Sequence, residues 1–151
     1  MMPRKITIRR ATVRDLELLV PLFDAYRRFY RLQGDPELAR RFLQERLERH
    51  ESVIFLAFDD ANAVGFTQLY PSFSSGAMAL IFVLNDLFVT PEARRSGTGS
   101  ALLRAAAEYG RGAGAARLTL STELTNSTAQ ALYEREGWKR DTMFCTYALA
   151  L

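Results

Sequence analysis

The stretch from Leu84 to Leu103 reads Leu-Asn-Asp-Leu-Phe-Val-Thr-Pro-Glu-Ala-Arg-Arg-Ser-Gly-Thr-Gly-Ser-Ala-Leu-Leu, and it leaves few folds open to the chain. An apolar strand, Leu84 to Val89, runs into Thr90-Pro91, then a basic turn with glycines at alternate positions, then a helix of apolar periodicity. A helix start leaves about four backbone N–H groups without internal partners, and the helix dipole adds roughly half a positive charge there. Gly97 and Gly99 carry no Cβ, so a ligand can approach the backbone closely and φ > 0 is open to them. Arg94, Arg95 and the hydroxyls of Ser96, Thr98 and Ser100 add donors to the same concavity. The guest that suits such a turn is a phosphate or pyrophosphate.

Two familiar phosphate loops are excluded. A Walker loop requires lysine after its second glycine, and none follows Gly99; a dinucleotide fingerprint requires a third glycine where Leu102 stands. What remains is Arg94-x-x-Gly97-x-Gly99 after a strand ending Val89-Thr90-Pro91. This resembles the acetyl-CoA pyrophosphate loop of the GNAT acetyltransferase superfamily, Gln/Arg-x-x-Gly-x-Gly/Ala in the same strand-to-helix setting.

The 151 residues, 48% hydrophobic and 25% charged, suit one globular domain over the whole chain, with a sizeable core. A net charge of +3 and a pI near 9.3 favour an anionic cofactor, and the basic residues are too dispersed to suggest nucleic acid. The single cysteine, Cys145, excludes an internal disulfide, and with His50 the only histidine no Cys/His metal cluster can be assembled; a reducing cytoplasm is expected. Met1 to Lys5 carry charge with no apolar region behind them, and no window approaches the roughly 18 apolar residues of a membrane span. Neither export nor membrane insertion is expected.

Ile6 and Ile8 open a strand. Thr12 caps a helix whose apolar face carries Leu16, Leu19, Val20, Phe23, Tyr26 and Tyr30, and Pro21 either kinks that helix or restarts it. Asp35-Pro36 begins a second helix, with Leu38, Phe42, Leu43 and Leu47, to about His50. Ser52–Phe58, Ala63–Phe73 and Met78–Val89 form an antiparallel meander. A helix from about Gly99 to Arg111, closed by Gly110, Gly112 and Gly114, leads to a strand at Arg117–Ser121, parallel to Leu84–Val89 by the right-handed crossover rule. The class is α/β (α+β) with a mixed sheet. Splayed ends of the two parallel strands would leave a slot for a linear ligand arm beside the phosphate site.

Asn126 to Trp138 is a capped helix closed by Gly137. Read alone, Asn126 is a cap, Leu132 is core and Tyr133 is an amphipathic surface residue. The superfamily pattern continues downstream as Asn-x-x-Ala-x-x-x-Tyr-x-x-x-Gly-Phe/Trp, which Asn126, Ala129, Tyr133, Gly137 and Trp138 match. The resemblance is strong from Leu84 to Trp138 and looser before it. It implies a GNAT fold with six to seven strands and about four helices, an N-acetyltransferase using acetyl-CoA on a primary amine, and a homodimer through edge strands or Thr146–Leu151. Backbone groups of Leu87, Phe88 and Val89 would hold the pantetheine arm, and an N–H near Val89 would polarise the thioester oxygen. Arg94, Arg95, Ser96, Gly97, Thr98, Gly99 and Ser100 would surround the pyrophosphate. Asn126 and Ala129 would lie along the cofactor, and Tyr133 would protonate the departing thiolate. No covalent acyl-enzyme is required, so Cys145, in a strand-like Met143–Tyr147 segment, reads as packing.

Many small-amine acetyltransferases of this kind carry Glu-Asp where this chain has Asn85-Asp86, and an amide cannot accept a proton. Asp86 on a regular strand points to the face opposite Asn85, and only a bulge would return it to the cleft. Glu123 and a water chain are the other candidates for the base. Asp24, Asp86 and Glu123 suit a cationic amine, with Tyr26, Tyr30, Tyr70 and Phe73 bordering its apolar stem. Polyamines, amino acids, aminoglycosides and protein lysines or N-termini all fit as acceptors. A non-catalytic acyl-CoA-binding regulator and an unrelated phosphate-binding domain stand as alternative functions.

Overall fold

The computed structural model describes residues 5–151 of the chain, so the first four of the five residues Met1 to Lys5 lie outside the described part. The chain divides into two compact units, one ending at Ser121 and one spanning Thr122–Leu151. In the first, a five-stranded sheet runs in the order β1 (Ile6–Arg10), β2 (Val53–Asp59), β3 (Asn62–Ser74), β4 (Ala79–Val89), β5 (Leu118–Thr119). The first four strands are antiparallel neighbours, and β5 joins β4 in parallel.

One face of the sheet carries α1 (Leu16–Phe29) and α2 (Pro36–Glu48), and the other carries α3 (Thr98–Gly112). On the first face Leu16, Leu19, Val20, Phe23 and Leu43 bury against Ile54, Leu56, Phe66 and Phe88. On the second, Leu102, Leu103 and Ala106 are buried, and Tyr109 meets Phe55 and Phe82 edge-on. Alternation along each strand sorts side chains to the two layers.

Thr12 and Asp15 form a capping box: Thr12 N donates to Asp15 Oδ2 at 2.8 Å, and Arg14 N donates to Thr12 Oγ1 at 3.3 Å. A short 3₁₀ turn, Val13–Asp15, follows, and α1 then runs unbroken through Pro21. Pro21 and Glu17, the residue one turn before it, both lie on the exposed side, and the helix neither stops nor restarts there. Asp35 caps α2, and Leu38, expected on its apolar face, is instead exposed while Ala39 and Leu43 are buried. Gly110 lies inside α3 rather than ending it. A Cβ there would meet Leu118 at 3.3 Å, so its absence lets α3 sit close to β5, and Gly114, at φ +77°, closes the turn.

The second unit contains α4 (Ser127–Arg135), capped by Asn126 and closed by Gly137 at φ +92°. Residues 139–151 form no strand, so the sheet has five strands where six to seven were expected. Asp141 Oδ1 accepts the N–H groups of Met143 and Phe144 at 2.8 and 3.1 Å, a local turn that competes with strand formation. Cys145, expected to pack, is exposed.

Candidate active site

The register of β3 against β4 changes between Gln68↔Asp86 and Leu69↔Leu84, so Asn85 is an extra residue, a β-bulge. Opposed residues share a face, so Leu84 points with Leu69 toward α3 while Asp86 points with Gln68 toward α1 and α2. Without the bulge Asp86 would share the Leu84 face. The bulge therefore turns the carboxylate onto the side that carries Tyr26 and Tyr70.

Asp86 is 4% exposed. Gln68 Nε2 donates to its Oδ2 at 2.6 Å and Asn85 Nδ2 donates to its Oδ1 at 3.1 Å, while its backbone carbonyl accepts Thr67 Oγ1 at 2.8 Å. Burial pushes the Asp86 carboxyl above the usual carboxylate range, against the pull of its Gln68, Asn85 and Tyr26 hydrogen bonds. Burial, then the Asp86 charge, push the Tyr70 phenol well above its ordinary value, so Tyr70 stays neutral. Tyr26 donates to the Asn85 carbonyl at 3.3 Å, and its ring meets Tyr30, Phe66 and Phe88 edge-on. Phe29 is the exposed ring of the aromatic group, at 49%.

Other expected pocket residues lie elsewhere. Asp24 is committed to Arg28 Nε and to the Asp35 N–H, both at 2.9 Å, which hold its carboxyl below the ordinary range and tie α1 to the start of α2. Phe73, three residues beyond Tyr70 on a regular strand, falls on the opposite face and is 79% exposed. Gln68, which the sequence reading did not single out, is fully buried beside Asp86. A glutamine between Phe66-Thr67 and Leu69-Tyr70, in the middle of the strand, was the one available signal.

The β4 edge beyond β5 is where a slot for a linear ligand arm was expected. Thr90 N donates to Val64 O at 2.8 Å. Antiparallel ladders alternate, so Phe88 bonds β3 while the N–H and C=O groups of Leu87 and Val89 point away from it. On that side, among the described residues, β5 pairs only with Phe82 and Val83, which leaves the outer edge from Leu84 onward without a strand partner. Arg94 folds back across this edge: its Nε donates to Val89 O at 3.0 Å and its guanidinium lies 5.1 Å from the Phe29 ring centroid.

The turn before α3 passes through Pro91–Ala93, Arg95 at φ +63° and Gly97 at φ +83°. Ala101 N is the first amide of α3 to bond within it, to Gly97 O at 3.0 Å, so the N–H groups of Thr98, Gly99 and Ser100 lie in the unpaired first turn. Ser96 Oγ donates to Ala93 O and meets Thr98 Oγ1 at 2.7 Å, and Thr98 is buried. These two hydroxyls brace the turn, so its backbone amides are the donors offered to an anion. A pyrophosphate suits that donor set, and a linear amide-bearing arm suits the open Leu87–Val89 edge.

In the second unit Asn126 Oδ1 accepts Ala129 N at 3.1 Å, leaving the Asn126 amide nitrogen for another partner. Tyr133 and Trp138 have ring centroids 6.2 Å apart, and Trp138 N donates to Tyr133 O. The Glu123 carbonyl accepts from Asn126 N and Gln130 Nε2. Among the described residues no group of three or more His, Cys, Asp or Glu is placed to hold a metal ion, and no helix is long and apolar enough to cross a membrane.

Comparison with known proteins bears on the family and the fold. Residues 19–138 match the model of the Acetyltransferase (GNAT) family. The chain is 49% identical to an uncharacterised N-acetyltransferase, YhfO, of Bacillus subtilis (strain 168), over 95% of this chain and 97% of that one. The crystal structure of a probable acetyltransferase superposes with a TM-score of 0.91 at 44% identity, covering 96% of this chain and 97% of the other. An aminoglycoside N-acetyltransferase solved in complex with CoA shares the fold, with a TM-score of 0.83 at 19% identity over 99% and 98% of the two chains.

Proposed function

The chain belongs to the GNAT acetyltransferase family and is an acetyltransferase enzyme, and from that premise we propose that it acts as one catalytic domain transferring acetyl from acetyl-CoA to a primary amine of a small molecule. One observation carries the acceptor side. Asp86 is a buried carboxylate whose hydrogen-bond donors are neutral, held by the Asn85 bulge on the aromatic face of a strand whose outer edge has no strand partner from Leu84 onward among the described residues.

Acetyl-CoA supplies an activated acyl group with a thiolate leaving group. The chain's residues do the rest. The amides of Gly97, Thr98, Gly99 and Ser100 bind the pyrophosphate, aided by Arg95 and by the start of α3. The backbone of Leu87, Phe88 and Val89 orients the pantetheine arm, and the Val89 N–H polarises the carbonyl, an interaction typically worth about 3 kcal/mol. Arg94 releases the Val89 carbonyl to that arm and remains beside the phosphates. Asp86 accepts the proton of the attacking ammonium, so the amine attacks directly as the free base. Asn85 serves this base as a donor rather than replacing it. Tyr133 delivers a proton to the leaving sulfur, and Asn126 and Ala129 contact the cofactor; the match of Asn126, Ala129, Tyr133, Gly137 and Trp138 to the family pattern supports these roles. Tyr26, Tyr30 and Tyr70 border the acceptor, and Glu123 contributes a second negative charge to it. A polyamine or an amino acid is the acceptor favoured by a carboxylate among tyrosines. We extend the family expectation to a homodimer, which light scattering tests.

The test is free-thiol release from acetyl-CoA against polyamines, amino acids, aminoglycosides and lysine peptides, with calorimetric CoA binding on the same sample. Turnover is expected with one small-amine class, and Tyr133→Phe is expected to lower kcat about tenfold or more with CoA affinity retained. CoA binding with no turnover across the panel would replace the enzyme reading with that of a binding protein. Equal activity in Tyr133→Phe would remove the general-acid role.

A further inference from the structure

Gln68 is fully buried, and only one end of its amide is paired. Nε2 donates to Asp86 Oδ2 at 2.6 Å, while Oε1 has no hydrogen-bond partner. A buried acceptor left unpaired is unfavourable. The arrangement is stable because the bond on the other side of the amide is short and charge-assisted, made to a carboxylate rather than to a neutral acid. Rotating the amide would set Oε1 against Oδ2, acceptor against acceptor. The geometry thus ties the orientation of Gln68 to the charge on Asp86.

The register explains why no other residue can take this part. Gln68 is the β3 residue directly opposite Asp86, immediately before the register change that Asn85 introduces. Asn85 Nδ2 reaches Oδ1 from the exposed side, and Gln68 Nε2 reaches Oδ2 from the buried side. One carboxylate is clamped between two amides, with the Tyr26 hydroxyl as a further neutral donor and no added charge. A cation in place of Gln68 would pair with the carboxylate and weaken its basicity; a neutral donor orients it and leaves it basic.

We propose that Gln68 is a positioning residue for the acetyl transfer: its amide, fixed by β3 opposite the Asn85 bulge, orients Asp86 and keeps it ionised in a buried site. This rests on the reading of Asp86 as the base. The other groups facing Asp86 are the phenols of Tyr26 from α1 and Tyr70 from β3, with Arg46 of α2 acting on Tyr70. Removing the Gln68 donor leaves burial less opposed, so the Asp86 carboxyl titrates higher.

The experiment compares kcat/KM against pH for wild type, Asp86→Asn, Gln68→Met and Gln68→Glu, using the best amine of the panel. The Asp86 carboxyl is followed by infrared difference titration in the free protein, assigned by its absence in Asp86→Asn. Gln68→Met keeps the side chain's length without the donor. Gln68→Glu keeps its shape and places a second carboxyl against the first, so the two variants perturb packing and charge differently, and circular dichroism identifies the one that is folded. Both are expected to move the acid limb upward by about one pH unit, a tenfold loss below the limb that recovers at high pH, and Gln68→Met is expected to move the infrared titration equally. A role in packing alone would lower stability and leave both readouts in place. If Asp86→Asn abolishes the limb while the folded Gln68 variants keep the wild-type limb and titration, the role of Gln68 is overturned. If Asp86→Asn keeps the wild-type limb, the base assignment itself fails.

Discussion

Gly97 shows how much one position can decide. Its φ of +83° lies where side chains are strained, yet a Cβ there meets nothing within 4 Å, so a substituent has room and points into open space before α3. Strain and charge can therefore be separated. Gly97→Ala is expected to cost about 1 kcal/mol of stability from the backbone alone. Gly97→Glu adds a carboxylate where the proposed pyrophosphate binds, and is expected to weaken CoA binding at least tenfold in calorimetry with an unchanged circular dichroism spectrum. Unchanged affinity would remove the phosphate-loop assignment. Asp86 is the contrasting case at this scale. Its identity and its place on a strand were legible, but its face depended on an inserted residue that nothing in the local pattern marks.

Among the elements, the entry to α1 shows local chemistry setting a boundary. Asp15 accepts both terminal nitrogens of Arg9 at 2.9 Å and the Thr12 N–H at 2.8 Å. The Arg9 hydrogen bond, foremost, holds the Asp15 carboxyl below its ordinary value despite burial. A carboxyl whose pKa is lower in the folded than in the unfolded chain stabilises the fold above the unfolded value, and that stability disappears as pH falls through the folded one. Asp15→Asn is therefore expected to destabilise by about 1 kcal/mol near neutrality, the usual worth of a cap. The difference from wild type should vanish in acid below the ordinary carboxylate range, as urea unfolding at the two pH values would show. A difference that persists in acid would assign Asp15 a packing role instead. The strand β4 is the opposite kind of element. Its apolar pattern marked it as a strand, while its use as an open edge depends on β5 stopping at Thr119, which pairing decides and composition does not.

At the scale of the whole molecule, a net charge of +3 sits on a chain whose proposed cofactor is a polyanion. The residues expected to face it, Arg94 and Arg95, lie at an open turn, and their attraction is screened by salt: the Debye length falls from about 10 Å at 0.1 M to about 3 Å at 1 M. CoA affinity is expected to fall several-fold across that range in calorimetric titrations. Salt-independent affinity would place the binding energy in the backbone donors and the adenine end rather than in charge. The layered arrangement explains why the phosphate turn and the buried carboxylate coexist on one strand. The α3 face of the sheet supplies the helix start, and the α1 face supplies Tyr26 beside Asp86.

Caps, turns and periodicity are local, and they were readable without any structure: the span of α2 from Asp35, the glycine-bearing turn before α3, and the closing of α4 at Gly137 each depend on a few adjacent residues. Register is not local. The Asn85 bulge and the pairing of Gln68 with Asp86 arise where two strands meet in one particular phase. A hydrogen bond between residues 18 apart in the chain is set by which strand lies alongside which and in what phase, and one residue of slippage sends the same carboxylate to the other face of the sheet.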